Sequence, residues 1–109
     1  MEKLTGYQRK YLRGLAHALA PHLLIGRKGL SETVLTEIEQ ALDRHELIKI
    51  RFIDIKDKDN KTQAIQAISD VSHAEFIGMR GHTALFFRRN SDEAKQCITL
   101  PGKSGPSGT

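Results

Sequence analysis

The sequence contains few cysteines, few aromatic residues and no long apolar run. Of its 109 residues, one is cysteine (Cys97), none is tryptophan and six are tyrosine or phenylalanine. A single cysteine excludes an internal disulfide and a cysteine-rich zinc site, and it favours a reducing, cytoplasmic setting. No apolar stretch reaches the roughly 20 residues of a membrane-spanning helix, and the N-terminus lacks the pattern of a signal peptide. We therefore expect a cytoplasmic protein with no membrane partner, metal or cofactor.

Charged residues are abundant, and the two signs are unevenly distributed along the chain. Lys and Arg total 17 against 13 Asp and Glu, which gives a net charge of +4. Residues 1–30 contain six cations and one acid, whereas residues 31–46 contain five acids and one cation, so a segment of charge +5 precedes one of charge −4. This asymmetry predicts a positive end that steers an anionic ligand and a negative flank that repels it.

A short glycine motif follows the first apolar run. Gly26 and Gly29 enclose Arg27 and Lys28 immediately before a predicted helix. Glycine permits a sharp turn and lets a foreign backbone approach closely, and the first amides of a helix favour an anion. The motif therefore predicts phosphate binding. The alternative is a strand-to-helix turn that uses glycine for geometry and leaves two solvated cations at its tip.

Apolar residues spaced three and four apart predict three amphipathic helices. The first begins after Thr5, which forms a capping-box pattern with Gln8, and runs to about Ala18; the others span residues 31–45 and 60–72. The first helix is predicted to bury Leu4, Tyr7, Tyr11, Leu12, Leu15 and Leu19, and to expose Arg9, Lys10, Arg13 and His17. The third is predicted to bury Ala64, Ile65, Ile68 and Val71.

Four strands are predicted at residues 22–25, 47–53, 74–79 and 83–89, and residues 98–100 are expected to add an edge strand. Alternation in the second strand places Lys49 and Arg51 opposite the buried face, and Arg88 and Arg89 end the fourth. Helical crossovers make the first two strands parallel, and the final hairpin is antiparallel. The fold class is therefore α/β: one compact domain of order α-β-α-β-α-β-β with a mixed four-stranded sheet.

Several separate segments together carry a resemblance to a known family. They are Leu15-Ala16-His17 with Pro21, the loop segment from Leu24 to Leu30, Val34-Leu35 with Glu37-Ile38 and Ala41-Leu42, and Glu46-Leu47-Ile48-Lys49. In these residues the chain resembles the CRM domain family in its free-standing bacterial YhbY form. The resemblance extends from Leu4 to about Leu100 with its spacing kept, which makes it more specific than a Gly-x-x-Gly motif alone.

The resemblance implies a fold, a partner and a set of contact residues. Residues 1–100 would form a domain similar to the C-terminal domain of translation initiation factor three. It would bind RNA without catalysis and associate with precursors of the large ribosomal subunit to assist their assembly. We also expect a monomer. The implied RNA-binding residues are Gly26, Arg27, Lys28 and Gly29 with Arg9, Lys10 and Arg13 of the basic first helix; further candidates are Lys49, Arg51, Arg88 and Arg89. Residues 101–109 lie outside the resemblance and are expected to be a disordered tail.

Two other classes of function compete with RNA binding. The first is a small hydrolase or RNA-processing enzyme that uses some of the five histidines, which are His17, His22, His45, His73 and His82. Their spacing matches no zinc motif such as His-Glu-x-x-His, and neither a Gly-x-Ser-x-Gly elbow nor a longer phosphate loop is present, which disfavours an enzyme. The second is a protein-interaction module whose basic face binds an acidic protein patch.

Overall fold

Three helices and four strands follow one another along the chain in the predicted order. The computed structural model describes residues 4–26, 29–55 and 58–102. The elements are α1 (Gly6–Ala16), β1 (Leu23–Ile25), α2 (Glu32–His45), β2 (Leu47–Phe52), α3 (Lys58–Ser72), β3 (Glu75–Arg80) and β4 (Thr83–Phe87), followed by a 3-10 turn at Glu93–Lys95. The predicted α/β class and element order are confirmed.

The strands form one mixed sheet in the order β1-β2-β4-β3. β1 and β2 are parallel, and β4 pairs antiparallel with both β2 and β3, as predicted. The prediction of an edge strand at residues 98–100 was wrong. The amides of Cys97 and Ile98 donate instead to the Glu46 carboxylate at 2.8 and 3.0 Å, so this segment is held by a side chain rather than by a strand.

Each face of the sheet carries its own apolar core. On one face, α2 and α3 cover a cluster that includes Ile38, Ile50 and Phe86. On the other face, α1 covers a smaller cluster in which Leu12 contacts the layer formed by Leu47 and Phe87. Because α1 is short, it covers only part of its face, and the rest of that face is open.

The buried side of α1 differs from the predicted one. Gln8, Leu12 and Ala16 are buried at a spacing of four residues, whereas Tyr7, Tyr11 and Leu15 were predicted buried and are each about two-fifths exposed. The predicted capping box between Thr5 and Gln8 is confirmed. The prediction failed because the helix rests on the sheet along one narrow stripe, and small Ala16 allows a close approach that a wider arc of large residues would prevent.

α3 begins two residues earlier than predicted, at Lys58, and buries a different stripe. Ile68 is fully buried as predicted, but Val71 is 53% exposed, and Ser72 is buried in its place. The Ser72 hydroxyl donates to the Ile68 carbonyl, which satisfies its donor inside the helix. The polar residue can therefore occupy a core position that the apolar pattern assigned to its neighbour.

Candidate nucleic-acid interface

The motif from Gly26 to Gly29 lies between β1 and α2, as the sequence predicted. The Gly29 amide donates to the Gly26 carbonyl at 2.9 Å, which closes a four-residue turn. Arg27 and Lys28, the two predicted phosphate ligands between the glycines, lie outside the described residues. A strand enters this turn, whereas the comparable motif of a KH domain joins two helices, so the fold that carries the motif is a different one.

The two glycines differ in what the chain requires of them. Gly29 has φ +72°, in the left-handed region that glycine adopts without steric cost. Gly26 is exposed, its φ is not positive, and a Cβ atom placed there would meet nothing within 4 Å. Gly29 is therefore explained by backbone geometry. Neither backbone geometry nor crowding by the described residues requires a glycine at residue 26.

The start of α2 lies directly beyond the turn. Ser31 caps the helix, its hydroxyl accepting from the Val34 amide at 3.1 Å, and Glu32 occupies the first turn. The positive end of the helix dipole is therefore aimed at the same region as the turn. The Glu32 carboxylate offsets part of that field, so the dipole alone does not make an anion site.

Two predicted cations lie on β2 and project to the face that α1 partly covers. The ammonium group of Lys49 donates to the carbonyls of Ala16 and Leu19 at 3.2 and 3.0 Å, and so it caps the C-terminal end of α1. Arg51 is exposed and pairs with Leu24, two residues before Gly26. Arg51 is therefore the strand cation that the fold brings beside the glycine turn.

The cations of α1 have different surroundings. The Arg9 guanidinium forms an ion pair with Glu75 at 2.8 Å and donates to the Phe76 carbonyl, so it is engaged within the chain. Lys10 is exposed on the outer side of the helix. Arg13 is exposed and donates to the Ile77 carbonyl at 3.4 Å. Arg13 is thus placed over the sheet, whereas Arg9 lies over the β3 end farther from the glycine turn.

The last two predicted cations lie away from the turn. Arg88 donates to Glu39 at 2.7 Å and to Asp43 at 2.8 Å, so α2 supplies the carboxylates that neutralise it. The Nη1 atom of Arg89 is buried and has no hydrogen-bond partner within the described part of the chain. Both residues follow the C-terminal end of β4, whereas the glycine turn follows the C-terminal end of β1, at the opposite end of the sheet.

Arg80 lies at the same end of the sheet as the turn but on the opposite edge strand, and the sequence analysis did not select it. It ends β3 and pairs with Thr83, which pairs in turn with Arg51. The sequence pattern predicts the third strand only to residue 79, which leaves Arg80 in the connection between two strands. Its position in one cross-strand row with Arg51, on the other side of Thr83, depends on the register of three strands, which local periodicity does not specify.

His22 and His45 contact each other, and His22 also bonds the backbone of β2. His22 accepts from the Lys49 amide through Nδ1 at 3.0 Å, and its ring centroid is 4.6 Å from that of His45. Burial lowers the pKa of His22, and the nearby His45 and Lys49 lower it further, so this ring is held neutral. Among the residues that the structure describes, no three His, Cys, Asp or Glu side chains are grouped to hold a metal ion.

Cys97 is exposed and unpaired with another cysteine. Burial around its sulfur and the neighbouring Glu46 carboxylate raise the pKa of the thiol, which keeps it protonated and weakly nucleophilic. Within the described ranges, no helix has the length and apolar character needed to cross a bilayer.

Comparison with known proteins identifies the family of this chain. The family model described as the CRS1/YhbY (CRM) domain matches residues 4–88. A Haemophilus influenzae protein named an RNA-binding protein is 42% identical over 94% of this chain and all of its own length. A Pseudomonas aeruginosa protein named a probable RNA-binding protein is 33% identical over 94% of this chain and 97% of its own length.

A solved structure shows the same fold. The solution structure of a Staphylococcus aureus protein thought to bind RNA superposes with a TM-score of 0.74 at 30% identity, covering 91% of this chain and all of the other. These matches agree with the resemblance seen in the sequence segments and with the mixed sheet of the structure. The chain belongs to the CRS1/YhbY (CRM) domain family.

Proposed function

We propose that this protein is a non-catalytic RNA-binding protein that associates with ribosomal RNA in precursors of the large ribosomal subunit and assists their assembly. Its relatives in Haemophilus influenzae and Pseudomonas aeruginosa carry names that state RNA binding or probable RNA binding. In this proposal the turn from Gly26 to Gly29 contacts a phosphate of the RNA backbone. The neighbouring cations contact adjacent phosphates.

The single observation that carries the proposal is the exposure of Gly26. A glycine that needs neither a positive φ nor internal space is accounted for if a ligand backbone lies against it. Arg27 and Lys28 follow it in the sequence and supply two positive charges at the same turn. Phosphate contacts of this kind position an RNA and carry no base sequence, so recognition through backbone and shape is expected.

The first experiment tests RNA binding through the turn. Arg27→Glu with Lys28→Glu is expected to leave thermal stability unchanged and to weaken binding to a labelled transcript of large-subunit ribosomal RNA at least tenfold, or about 1.4 kcal/mol. Lys58→Glu with Lys95→Glu reverses the same charge on α3 and the 3-10 turn and is the matched control. Equal binding by the loop variant and the control would remove the turn from the mechanism.

A second experiment tests the cellular partner. Sedimentation of a cell extract that contains the protein is expected to place it with precursors of the large subunit, and the loop variant should move to the fractions of free protein. Wild-type protein found only in the free fractions would contradict the assembly role. The first experiment alone would then decide whether the protein binds RNA.

A further inference from the structure

A row of side chains crosses the open part of the sheet next to the glycine turn. Strand register pairs Leu24 with Arg51, Arg51 with Thr83, and Thr83 with Arg80. Residues paired in this way project to the same face of a sheet. We call these four residues, which come from all four strands, the terminal row.

The terminal row faces the α1 side of the sheet and lies beyond the reach of that helix. Lys49, two residues before Arg51, bonds the C-terminal end of α1, and alternation along β2 puts Arg51 on the same face. Leu24 is 58% exposed, and both arginines are exposed. The row is therefore an open strip of surface with two exposed cations, and it ends two residues from Gly26.

A cleft continues from the terminal row toward α1. It encloses about 370 Å³, and the residues that give it its polar character are Arg13, His17, Lys49, Arg80 and Thr83. Among the described residues that line it, none is a carboxylate. On the side of the turn, Asp54 lies near Arg51 in a separate depression. The charge of the described residues that line the cleft is thus positive, and Asp54 lies at the other end of the row, on the side of the turn.

The chain makes specific room for the Arg13 side chain in this cleft. A Cβ atom at Gly78 would lie 3.2 Å from Cδ of Arg13, so the absence of a side chain at residue 78 lets Arg13 lie against β3. A register irregularity between Phe76 and Gly78 in the same strand presents the Ile77 carbonyl, which accepts from Arg13. Arg13 is therefore held over the sheet before any ligand arrives.

We propose that the terminal row and this cleft form a second binding site for the sugar–phosphate backbone of RNA, which continues from the glycine turn across the sheet to α1. The inference rests on the proposed RNA-binding function and assigns the path that the strand takes. Arg51, Arg80 and Arg13 contact successive phosphates, and the Thr83 hydroxyl is placed between the first two to bond a phosphate or sugar oxygen. The surface offers no aromatic ring in the row, so it holds the backbone rather than stacking bases.

The test compares two double variants of the full chain with equal charge. Arg51→Ala with Arg80→Ala removes two cations of the row, and Arg44→Ala with Lys95→Ala removes two exposed cations elsewhere. With the large-subunit ribosomal RNA transcript as probe, the row variant is expected to bind about tenfold more weakly. The slope of its log affinity against log salt should become less steep by about 1.4 to 1.8, since each phosphate contact contributes roughly 0.7 to 0.9 to that slope. The control should keep the wild-type slope.

The outcomes separate this inference from the function on which it rests. If the loop variant Arg27→Glu with Lys28→Glu loses binding and the row variant matches its control, the second site is wrong and the proposed function stands. If wild type does not bind the transcript, the proposed function fails, and the assigned path fails with it. If wild type binds and the loop variant binds equally well, the turn is not part of the mechanism, and the assigned path, which starts at the turn, is wrong.

Gly78→Ala tests the placement of Arg13 without removing a charge. The added methyl group is expected to displace the Arg13 side chain and weaken binding about threefold, with no loss of thermal stability because the backbone there suits alanine. In an Arg13→Ala background the same change should have no further effect. An equal loss in both backgrounds would show that Gly78 acts independently of Arg13, and would overturn the role of that arginine.

Discussion

Gly26 and Gly29 show that two identical residues in one motif can have different physical reasons. Gly29 adopts a left-handed backbone conformation, and Gly26 does not. Substitution of Gly29 should therefore act on the fold, and substitution of Gly26 should act on whatever binds there. This separation makes Gly26 the sharper position for a test of function.

Gly26→Asp is predicted to leave thermal stability within the error of wild type and to weaken binding to the large-subunit ribosomal RNA transcript at least tenfold. The carboxylate has space to fit but lies where a phosphate is proposed to approach. Gly6→Asp is the matched control, because Gly6 begins α1, has open space around it and undergoes the same charge change. Filter binding measures the RNA affinity of both variants, and thermal melting measures their stability. A lowered melting temperature for Gly26→Asp with normal affinity would contradict the prediction.

Glu46 is a buried acid with a structural task. It is fully buried at the end of α2, and its carboxylate accepts from the amides of Asn90, Cys97 and Ile98. Burial by itself would raise the pKa of Glu46, but these hydrogen bonds outweigh burial, and the pKa lies below its ordinary value. The charged form is thus favoured in the folded state, and its contribution to stability is lost as the pH falls through that lowered pKa.

Glu46→Gln is predicted to lower the free energy of unfolding at neutral pH by about 1–3 kcal/mol, since a neutral amide accepts these hydrogen bonds more weakly and brings a buried donor of its own. The difference from wild type should shrink as the pH falls below the ordinary pKa of a glutamate and through the lowered pKa of Glu46, where the wild-type carboxylate becomes protonated. Urea denaturation across this range measures both effects, with exposed Glu93→Gln as the control. A difference that does not change with pH would argue against the charged carboxylate.

At the scale of elements, the segment after β4 crosses the α1 side of the molecule and packs against it. Ile98 and Leu100 pack against the smaller core, and the Pro101 carbonyl accepts from the Gln8 side chain at 3.0 Å. The family match ends at residue 88, so this packing belongs to residues beyond the matched region. Residues 103–109, most of the predicted tail, lie outside the described residues.

Deletion of residues 96–109 is predicted to lower the melting temperature by about 10 °C, equivalent to about 2 kcal/mol for a domain of this size. The deletion removes two of the donors to Glu46 and uncovers the α1 core. Deletion of residues 103–109 alone keeps every described contact and should leave the melting temperature unchanged. Equal melting of the two truncated proteins would show that residues 96–102 do not stabilise the domain.

At the scale of the whole molecule, the cations of the terminal row and the acids of α2 lie on opposite faces of the sheet. The terminal row and the cleft lie on the α1 face, whereas the acidic residues of α2 lie on the other face, where Glu39 and Asp43 neutralise Arg88. We therefore expect a polyanion to be repelled at the α2 face and attracted at the α1 face, and so to be oriented before contact.

Glu37→Gln with Asp70→Asn, which neutralises two exposed acids on α2 and α3, is predicted to raise the association rate with the ribosomal RNA transcript about twofold at low salt. The gain should disappear near 1 M salt, where the screening length is about 3 Å. Stopped-flow measurements at both salt concentrations test this. A gain that persists at high salt would indicate a local contact rather than a long-range field.

The sequence by itself determined the order of the elements, the parallel and antiparallel pairing, and the position of the glycine turn between a strand and a helix. These features depend on local periodicity, capping and turn residues, which neighbouring positions specify. The same local pattern predicted the wrong buried residues on α1 and wrongly predicted that Val71 is buried. Local periodicity does not specify which part of an apolar arc the sheet will cover. A distant carboxylate, Glu46, also held residues 97–98 away from strand pairing.

Only the tertiary structure decided which cations share a surface. Ion pairs with distant acids engage Arg9 and Arg88, although the sequence presents them as equal to the others. Strand register brings Arg51 and Arg80 into one row on either side of Thr83, and the missing side chain of Gly78 admits Arg13 to the cleft behind it. Register, pairing and close packing join residues far apart in the chain, and for that reason no local pattern could reveal this surface.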